Sequence, residues 1–363
     1  MHILDTYISR KFLSVLSFAL IAFIIIYVIV DLIENLDQFM GHDVPKVMVL
    51  LYYMYSLPYI IILVLPVACL LASLYSVGQM ARNNEIVAIS SSGIPLTRIL
   101  LPLFIIALII SIFAIFFGEK IVPLASVKRS EINDSYIETY NNRNRSILRN
   151  IHIRDDFNRY ISIKTLNLGK KEAQRISIQE VDDVTLKSRI DAEDMVFRNG
   201  VWVLHNGVQR NFSVGQNNQE LETAIPFDSL KMPDLKLDTE RLLVMKKQPE
   251  EMSYKDLKTF ISEVVRNGGD PNRWLVDLYL KLSFPFSNFI IVLFGAPLSA
   301  KKQRSGAGLG FAISLVVCFV YFGIVKTTQS LGQNGTLPPL FAAWLANVFF
   351  AVLGFWVLLR ARQ

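Results

Sequence analysis

Apolar and polar positions in this chain are segregated over long distances, and six long stretches contain no charged side chain. A helix needs about 20 apolar residues to cross the roughly 30 Å of hydrocarbon in a bilayer, and each stretch is long enough. The pattern therefore predicts six transmembrane helices, three on each side of a polar segment. The stretches are Phe12–Val30, Val47–Ala81, Ile99–Gly118, Leu282–Ala300, Ser305–Val325 and Thr327–Leu359.

The polar segment between the third and fourth stretches changes to a period of two residues. Apolar and polar residues alternate in Tyr160–Leu166 and in Arg175–Val181, which is typical of strands with one buried face. Asn199-Gly200 predicts a two-residue hairpin turn, and Asn206-Gly207 follows as a second turn signal at strand spacing. We therefore expect an antiparallel sandwich or a jelly-roll-like domain here.

Together the two patterns predict an α-helical membrane protein with six transmembrane helices (3+3) and an inserted antiparallel β domain. The expected boundaries are 1–118 for the first three helices, 119–270 for the β domain with its linker helices, and 271–363 for the last three helices. Ser253 and Asp256 have the spacing of a capping box, so a linker helix is expected to begin there.

The distribution of charged residues predicts how this fold is oriented in the membrane. Hydrophobic residues make up 52% of the chain and charged residues only 19%. The net charge of +6 lies mainly in the short loops around the apolar stretches, so it indicates membrane orientation and not nucleic-acid binding. By the positive-inside rule both termini are cytoplasmic and the β domain lies on the opposite side. The basic flanks are Arg10, Lys11, Arg82, Arg98, Lys301, Lys302, Arg304, Arg360 and Arg362.

Common catalytic motifs are absent from the sequence. There is no G-x-x-x-x-G-K-[ST] phosphate loop, so the chain itself is not expected to bind or hydrolyse ATP. The 4 His are scattered, and Cys69 and Cys318 both lie in apolar stretches, so no metal or cofactor site is predicted. A membrane enzyme built from ordinary carboxylates has no local signature and remains a third hypothesis.

The loop between the second and third stretches predicts a short amphipathic helix near residues 79–92. Ile86 and Ile89 are apolar, Arg82 and Glu85 are charged, and a Gly-x-Pro sequence then ends the helix. Such a helix packs either on the bilayer or on a partner protein. Because few basic residues lie nearby, anionic lipid is a poor partner, and a groove in another protein is favoured.

Three segments resemble the LptF/LptG permeases of the lipopolysaccharide export ABC transporter, also called the YjgP/YjgQ family. They are Ile3–Ile8, Leu65–Leu74 in the second span and, most specifically, Asn84–Ile94, which is similar to the family's coupling helix. The order of three helices, β domain and three helices is similar too, so the resemblance covers essentially the whole chain. The opening segment is closer to LptG than to LptF.

The resemblance implies a non-catalytic permease subunit that extracts lipopolysaccharide from the inner membrane and passes it to a periplasmic bridge toward the outer membrane. The implied partners are a homodimeric LptB-like cytoplasmic ATPase that binds ATP and Mg, a second permease of the same family, and an LptC-like membrane-anchored periplasmic protein. Glu85, Arg82 and Ile89 would dock in the ATPase. Spans one and five would line the gates of the lipid cavity, and the β domain would lie in the periplasm.

A lipid with a phosphorylated head group requires cations near the outer surface. Lys120, Lys128 and Arg129 follow the third stretch at that level, and Lys326 lies near the outer end of the fifth. A lysine deep in the bilayer costs at least about 2.5–3.5 kcal/mol. Lys326 is therefore expected either to contact phosphate or to extend toward the interface, and for Lys128 and Arg129 a solvated surface position is the alternative.

The end of the first span departs from those family members that carry a basic residue there. This chain has Asp31, with Glu34 and Asp37 beyond it. Carboxylates repel phosphate unless a divalent cation bridges them. The sequence therefore leaves a head-group contact from the first span open.

Two other functions remain compatible with the sequence. A permease for another lipid or for lipoproteins is of the same kind, but such permeases usually carry their soluble domain after the first span. A membrane-anchored scaffold or sensor would use the β domain to bind an extracytoplasmic ligand. That protein would need no ATPase.

Overall fold

The structure is a computed structural model. It describes residues 2–41, 44–137, 147–154, 159–167, 169–182, 185–198, 200–214, 220–233, 235, 247–266, 269–300 and 307–360. The chain divides into two compact units, each built from separate segments. The membrane unit comprises Met1–Asn133, Gln248–Ile261 and Pro271–Gln363, and the β unit comprises Asp134–Lys247 and Ser262–Asp270.

Six helices of the described residues are long and apolar enough to cross a membrane, which confirms the six predicted spans. These are α1, α3, α5, α7, α8 and α9. The third of them, α5, continues well past Gly118, so the expected boundary at residue 118 falls inside a continuous helix. The helices are α1 His2–Glu34, α2 Leu36–Gly41, α3 Lys46–Arg82, α4 Glu85–Ser91, α5 Leu96–Ile132, α6 Tyr254–Arg266, α7 Asn272–Ala300, α8 Ala307–Gln333 and α9 Pro339–Arg360.

The central helix of the membrane unit is α7, which packs against α3, α5 and α9. Glycines allow this close approach. A Cβ atom at Gly295 would lie 2.5 Å from Leu70 Cδ1 and 2.8 Å from Ser73 Oγ. At Gly354 it would lie 3.0 Å from the backbone nitrogen of Phe294. Close van der Waals contact is the main attraction between helices in lipid, so these positions hold the bundle together.

The first span lies at the edge of the membrane unit. It packs mainly on α3 and leaves large apolar side chains uncovered, among them Phe18 at 76%, Ile21 at 59% and Ile33 at 67% exposure. A contiguous apolar surface of this kind contacts lipid or another helix.

The β unit contains one six-stranded antiparallel sheet with its strands in chain order. Ile161, Ile163 and Leu204 belong to the same buried core cluster as Trp202. The inserted antiparallel β domain is thus confirmed. Its connectivity is an up-and-down meander, because each strand pairs with the next strand in the chain through a short connection. The strands are β1 Ile147–Arg154, β2 Arg159–Asn167, β3 Glu172–Asp182, β4 Thr185–Arg198, β5 Val201–Val214 and β6 Glu220–Met232.

The two Asn-Gly signals have different outcomes. The hairpin between β4 and β5 is confirmed, and Gly200 has a φ of +83°, a conformation that favours glycine. Asn199 lies outside the described residues. The turn expected at Asn206-Gly207 is wrong, because β5 extends over Val201–Val214 and Gly207 pairs with Ala192 of β4 and Phe227 of β6. Gly207 is needed for space, since a Cβ atom there would overlap the Phe227 ring.

The capping box is confirmed at the start of α6. Ser253 Oγ lies 2.7 Å from Asp256 Oδ2, and the Asp256 backbone N–H donates to Ser253 Oγ over 3.2 Å. In return the Ser253 backbone N–H donates to Asp256 Oδ2 over 3.3 Å. The helix therefore begins where the local sequence predicts it.

Candidate functional site

The loop helix is shorter than the sequence predicts. Residues 79–82 belong to α3, and α4 begins only at Glu85, so the expected start at residue 79 is corrected. The interruption is at Asn84, whose φ of +59° is a left-handed conformation that ends a right-handed helix and that Asn tolerates. Arg82 and Glu85 are therefore on two different helices.

The carboxylate of Glu85 is the centre of a polar cluster at this turn, which we call the Glu85 cluster. Its Oε2 accepts a hydrogen bond from Tyr7 Oη at 3.0 Å, and its Oε1 accepts one from Asn83 Nδ2 at 2.9 Å. Lys11 Nζ lies 3.8 Å from Oε1. Because Tyr7 and Lys11 are on α1, Glu85 connects the short helix α4 to the first span.

Hydrogen bonds contribute most of the strength of this cluster. The Lys11–Glu85 pair is long and its side chains stay 16% and 26% exposed, and such pairs contribute about 0–1 kcal/mol. A hydrogen bond to a charged group contributes about 1.5–3 kcal/mol. The Tyr7 hydroxyl is therefore the stronger link between α1 and α4.

A second polar contact joins the beginning of α1 to α5. Arg98 donates two parallel hydrogen bonds to Asp5, Nη1 to Oδ1 and Nη2 to Oδ2, each over 2.9 Å. This bidentate geometry fixes the orientation of both side chains. With the Glu85 cluster, it connects three segments, α1, α4 and α5, at one end of the membrane unit.

The three residues predicted to contact an ATPase lie in different environments. Glu85 is half-buried in its cluster, and Arg82 is exposed. Ile89 is partly buried against the core of its own bundle, beside the buried Ile86. Val87 is 55% exposed. The surface that α4 leaves open to a partner is therefore its Val87 side, and Arg82 is exposed at the end of α3.

A cavity of about 440 Å³ lies within the membrane unit among α3, α5, α7 and α8. It is far from the Glu85 cluster, because Tyr59 on its wall precedes Arg82 by 23 residues of α3, roughly 35 Å at 1.5 Å per residue. Its wall is mostly apolar and includes Ile62, Leu63, Ile115, Val122, Phe284 and Phe322. Its charged and amide side chains are Glu119, Glu250, Asp277, Lys281, Lys326 and Gln329.

A chain of hydrogen bonds connects α7 to α8 along this cavity. Lys326 Nζ donates to Gln329 Oε1 over 3.2 Å, and Gln329 Nε2 donates to Asp277 Oδ1 over 3.0 Å. Gln333 Nε2 donates to the same Asp277 oxygen over 3.1 Å. Asp277 is thereby held by two amides, and the exposed Lys326 lies at the edge of the cavity.

The carboxylate of Glu119 has a structural role beside the cavity. Both of its oxygens lie 2.8 Å from the backbone nitrogen of Tyr254, the first residue of α6. A carboxylate at a helix start accepts a hydrogen bond from a free backbone N–H group, and its negative charge interacts favourably with the positive end of the helix dipole. Glu119 therefore joins α5 to the start of α6.

The other cations predicted to contact lipid do not line the cavity. Lys128 Nζ lies 5.4 Å from the centre of the Tyr55 ring, and the Arg129 guanidinium lies 5.8 Å from that of Tyr59. Lys120 is exposed. Of the four predicted cations, the cavity includes Lys326 alone among the residues that the structure describes.

Sequence reasoning missed two charged residues of the cavity that share one helix. Asp277 and Lys281 are four residues apart on α7, immediately before the charge-free stretch of the fourth span. Residues at this spacing lie on the same face of a helix. That spacing, at the point where a helix enters the membrane, is the signal that could have identified them.

The acidic end of the first span has a partner within the bundle. Tyr53 Oη donates a hydrogen bond to Asp31 Oδ2 over 2.9 Å. Tyr53 also packs in an edge-to-face cluster with Tyr52 and Phe39. Asp31 therefore has a structural contact between α1 and α3, whereas Glu34 and Asp37 are exposed.

Comparison with known proteins agrees with this architecture. The family model of the lipopolysaccharide export system permease LptF/LptG matches residues 6–360. The chain is 20% identical over 362 residues to the lipopolysaccharide export system permease protein LptG of Escherichia coli strain K12, covering 99% of this chain and 98% of the relative. It is 21% identical over 373 residues to LptG of Haemophilus influenzae, covering 99% of each chain.

The family match spans all six membrane helices and the inserted sheet, and the relatives align from end to end. The chain therefore belongs to the lipopolysaccharide export system permease family LptF/LptG.

Proposed function

We propose that this chain is the permease subunit of an ABC transporter that extracts lipopolysaccharide from the inner membrane and passes it toward the outer membrane. The family match and the names of the relatives support the substrate class. In the chain itself, the observation that carries the proposal is the Glu85 cluster, a short loop helix connected by polar contacts to the first span.

The chain acts as a non-catalytic subunit, and a cytoplasmic ATPase dimer of the LptB type binds ATP and Mg. That ATPase contacts α4 and the adjacent Arg82. A displacement of α4 reaches α1 through Tyr7 and Lys11, which contact Glu85. It reaches α5 because α1 also holds Arg98 through Asp5. Two spans thus respond to one movement of a helix that extends over only Glu85–Ser91.

The remaining partners complete the lipid path. A second permease of the same family covers the exposed face of α1, where Phe18, Ile21 and Ile33 lie, and the membrane helix of an LptC-like protein enters beside it. Both termini lie in the cytoplasm, and the β unit lies in the periplasm and receives the lipid. The basic loop flanks support this orientation.

Contacts with the phosphorylated head group come from cations at the periplasmic end of the membrane unit. Lys326 is exposed at the edge of the cavity, and its Nζ is oriented by Gln329. Lys120, Lys128 and Arg129 provide further positive charge on α5, the latter two beside tyrosine rings. Charge-assisted hydrogen bonds to phosphate are the strong ones, so few such contacts suffice.

Glu85→Lys tests the coupling role. The complex of this chain with its partner permease and ATPase is reconstituted in proteoliposomes, and both lipopolysaccharide release and ATP hydrolysis are measured. Charge reversal places a second cation beside Lys11 and removes the acceptor for Tyr7. We expect lipopolysaccharide release to fall to background and less ATPase to co-purify, while the protein stays in the membrane.

Glu172→Lys is the matched control, because it makes the same charge change at an exposed position of β3. It should leave both activities unchanged. Normal lipopolysaccharide release by Glu85→Lys with full ATPase recovery would remove the coupling role. Preferential release of another lipid or of lipoprotein by the unaltered complex would select the alternative permease function.

A further inference from the structure

The cavity among α3, α5, α7 and α8 contains charged groups that do not contact each other. Lys281 lies within the electrostatic influence of Glu119, Glu250 and Asp277, all on the same wall. Within the described part of the chain, neither Lys281 nor Glu250 forms a hydrogen bond or an ion pair of 4.0 Å or less. Two half-buried charges of opposite sign therefore line one cavity without a partner.

The other ionic groups of the wall are already engaged. Glu119 accepts from the backbone of Tyr254, Asp277 accepts from two glutamine amides, and Lys326 donates to Gln329. An unpaired charge away from bulk water is costly. Lys281 and Glu250 are thus an ammonium and a carboxylate of the cavity wall that have no hydrogen-bond partner within the described residues.

We propose that this cavity binds a zwitterionic phospholipid with a primary amine, of the phosphatidylethanolamine class, with its phosphate on Lys281 and its ammonium on Glu250. This ligand carries both charges on one short head group, so it neutralises both side chains at once. A primary ammonium donates three hydrogen bonds, which suits a carboxylate. A quaternary ammonium donates none.

The size and lining of the cavity fit such a ligand. Its volume of about 440 Å³ lies in the usual range for small-molecule sites. Ile62, Leu63 and Ile115 form an apolar wall for the first part of an acyl chain. Leu282, which also lines the cavity, is 37% exposed, so the cavity reaches the surface of the bundle there. The site is separate from the Glu85 cluster and goes beyond the export function.

The test places the full-length protein in nanodiscs with equal amounts of phosphatidylethanolamine, phosphatidylglycerol and phosphatidylcholine. The protein is then extracted in mild detergent, and retained lipid is quantified by mass spectrometry. We expect phosphatidylethanolamine to be enriched at least fivefold over phosphatidylcholine. Glu250→Gln should abolish this preference for the amine, and Lys281→Met should release the retained phospholipid altogether.

Lys46→Met is the matched control, because Lys46 is exposed on α3, does not line the cavity and has no part in the proposed export function. It should retain the enrichment. Leu282→Trp is a second probe that keeps both charges and narrows the opening at an exposed position, so it should reduce retention without unfolding. Equal retention of the three lipids by the unaltered protein, or unchanged enrichment in Glu250→Gln and Lys281→Met, would overturn the assignment.

Discussion

Tyr7 of α1 donates a hydrogen bond to Glu85 of α4 over 3.0 Å, although 78 residues separate them in the chain. The bond joins α1, which exposes a long apolar surface, to the seven-residue loop helix α4. Together with the Lys11–Glu85 pair, this bond is a direct polar connection through which a movement of α4 is transmitted to α1.

Tyr7→Phe tests that transmission. The change removes one hydroxyl and leaves the ring and Glu85 in place, at a cost of about 1.5–3 kcal/mol, since the lost hydrogen bond is to a carboxylate. We expect ATPase binding to persist, because Glu85 and Arg82 remain, while fewer lipopolysaccharide molecules are released per ATP hydrolysed. The control is Tyr75→Phe, at a tyrosine of α3 that is 40% exposed. Equal coupling in Tyr7→Phe and the unaltered protein would disprove the role.

The Asp5–Arg98 pair leads to a charge-swap experiment. Asp5→Arg or Arg98→Asp alone places like charges where two hydrogen bonds of 2.9 Å exist, so each should lower thermal stability and transport. The double swap restores opposite charges and should recover much of both. If the double swap is no better than the single changes, the pair has no specific role at the start of α1. Stability is measured by thermal unfolding in detergent.

Much of the fold follows from local signals in the sequence. The six spans are visible as charge-free stretches because a helix in lipid must bury its backbone polar groups and expose apolar side chains over a fixed length. The capping box at Ser253 and Asp256 and the hairpin turn at Gly200 depend on neighbouring residues only. Such features need no knowledge of the tertiary structure.

The cavity could not be derived in the same way. Glu119, Glu250 and Lys281 are on three elements that are distant in sequence, and periodicity shows which residues are charged but not which ones meet. The Asn206-Gly207 signal failed for a related reason. A glycine that makes a turn and a glycine that makes room for Phe227 on the next strand look the same in one sequence.

A buried hydrogen-bond chain connects three spans and gives a prediction for stability. Tyr321 Oη donates to Asn347 Oδ1 over 2.8 Å, and Asn347 Nδ2 donates to the Ser283 carbonyl over 2.6 Å. Asn347→Leu keeps the size but removes both of these buried hydrogen bonds, each worth about 0.5–1.5 kcal/mol. We expect a corresponding loss in the free energy of unfolding, measured by denaturant titration in detergent.

Tyr321→Phe supplies the second arm of that experiment. Both single changes remove the same Tyr321–Asn347 hydrogen bond, so the double variant should lose less stability than the sum of the single changes. If the losses in the free energy of unfolding simply add, the Tyr321 and Asn347 side chains do not stabilise the bundle as a coupled pair.

Lys326 offers the most direct test of head-group recognition. A photo-crosslinking amino acid replaces Phe319, which is 84% exposed on the same helix, and crosslinked lipopolysaccharide is quantified in membranes. On the proposed function, Lys326→Glu removes one charge-assisted phosphate contact worth about 1.5–3 kcal/mol, so crosslinking should fall about tenfold or more. Lys326→Arg keeps the charge and should retain most of the signal. If Lys326→Glu crosslinks as strongly as the unaltered chain, Lys326 only extends its ammonium to the interface and does not bind phosphate.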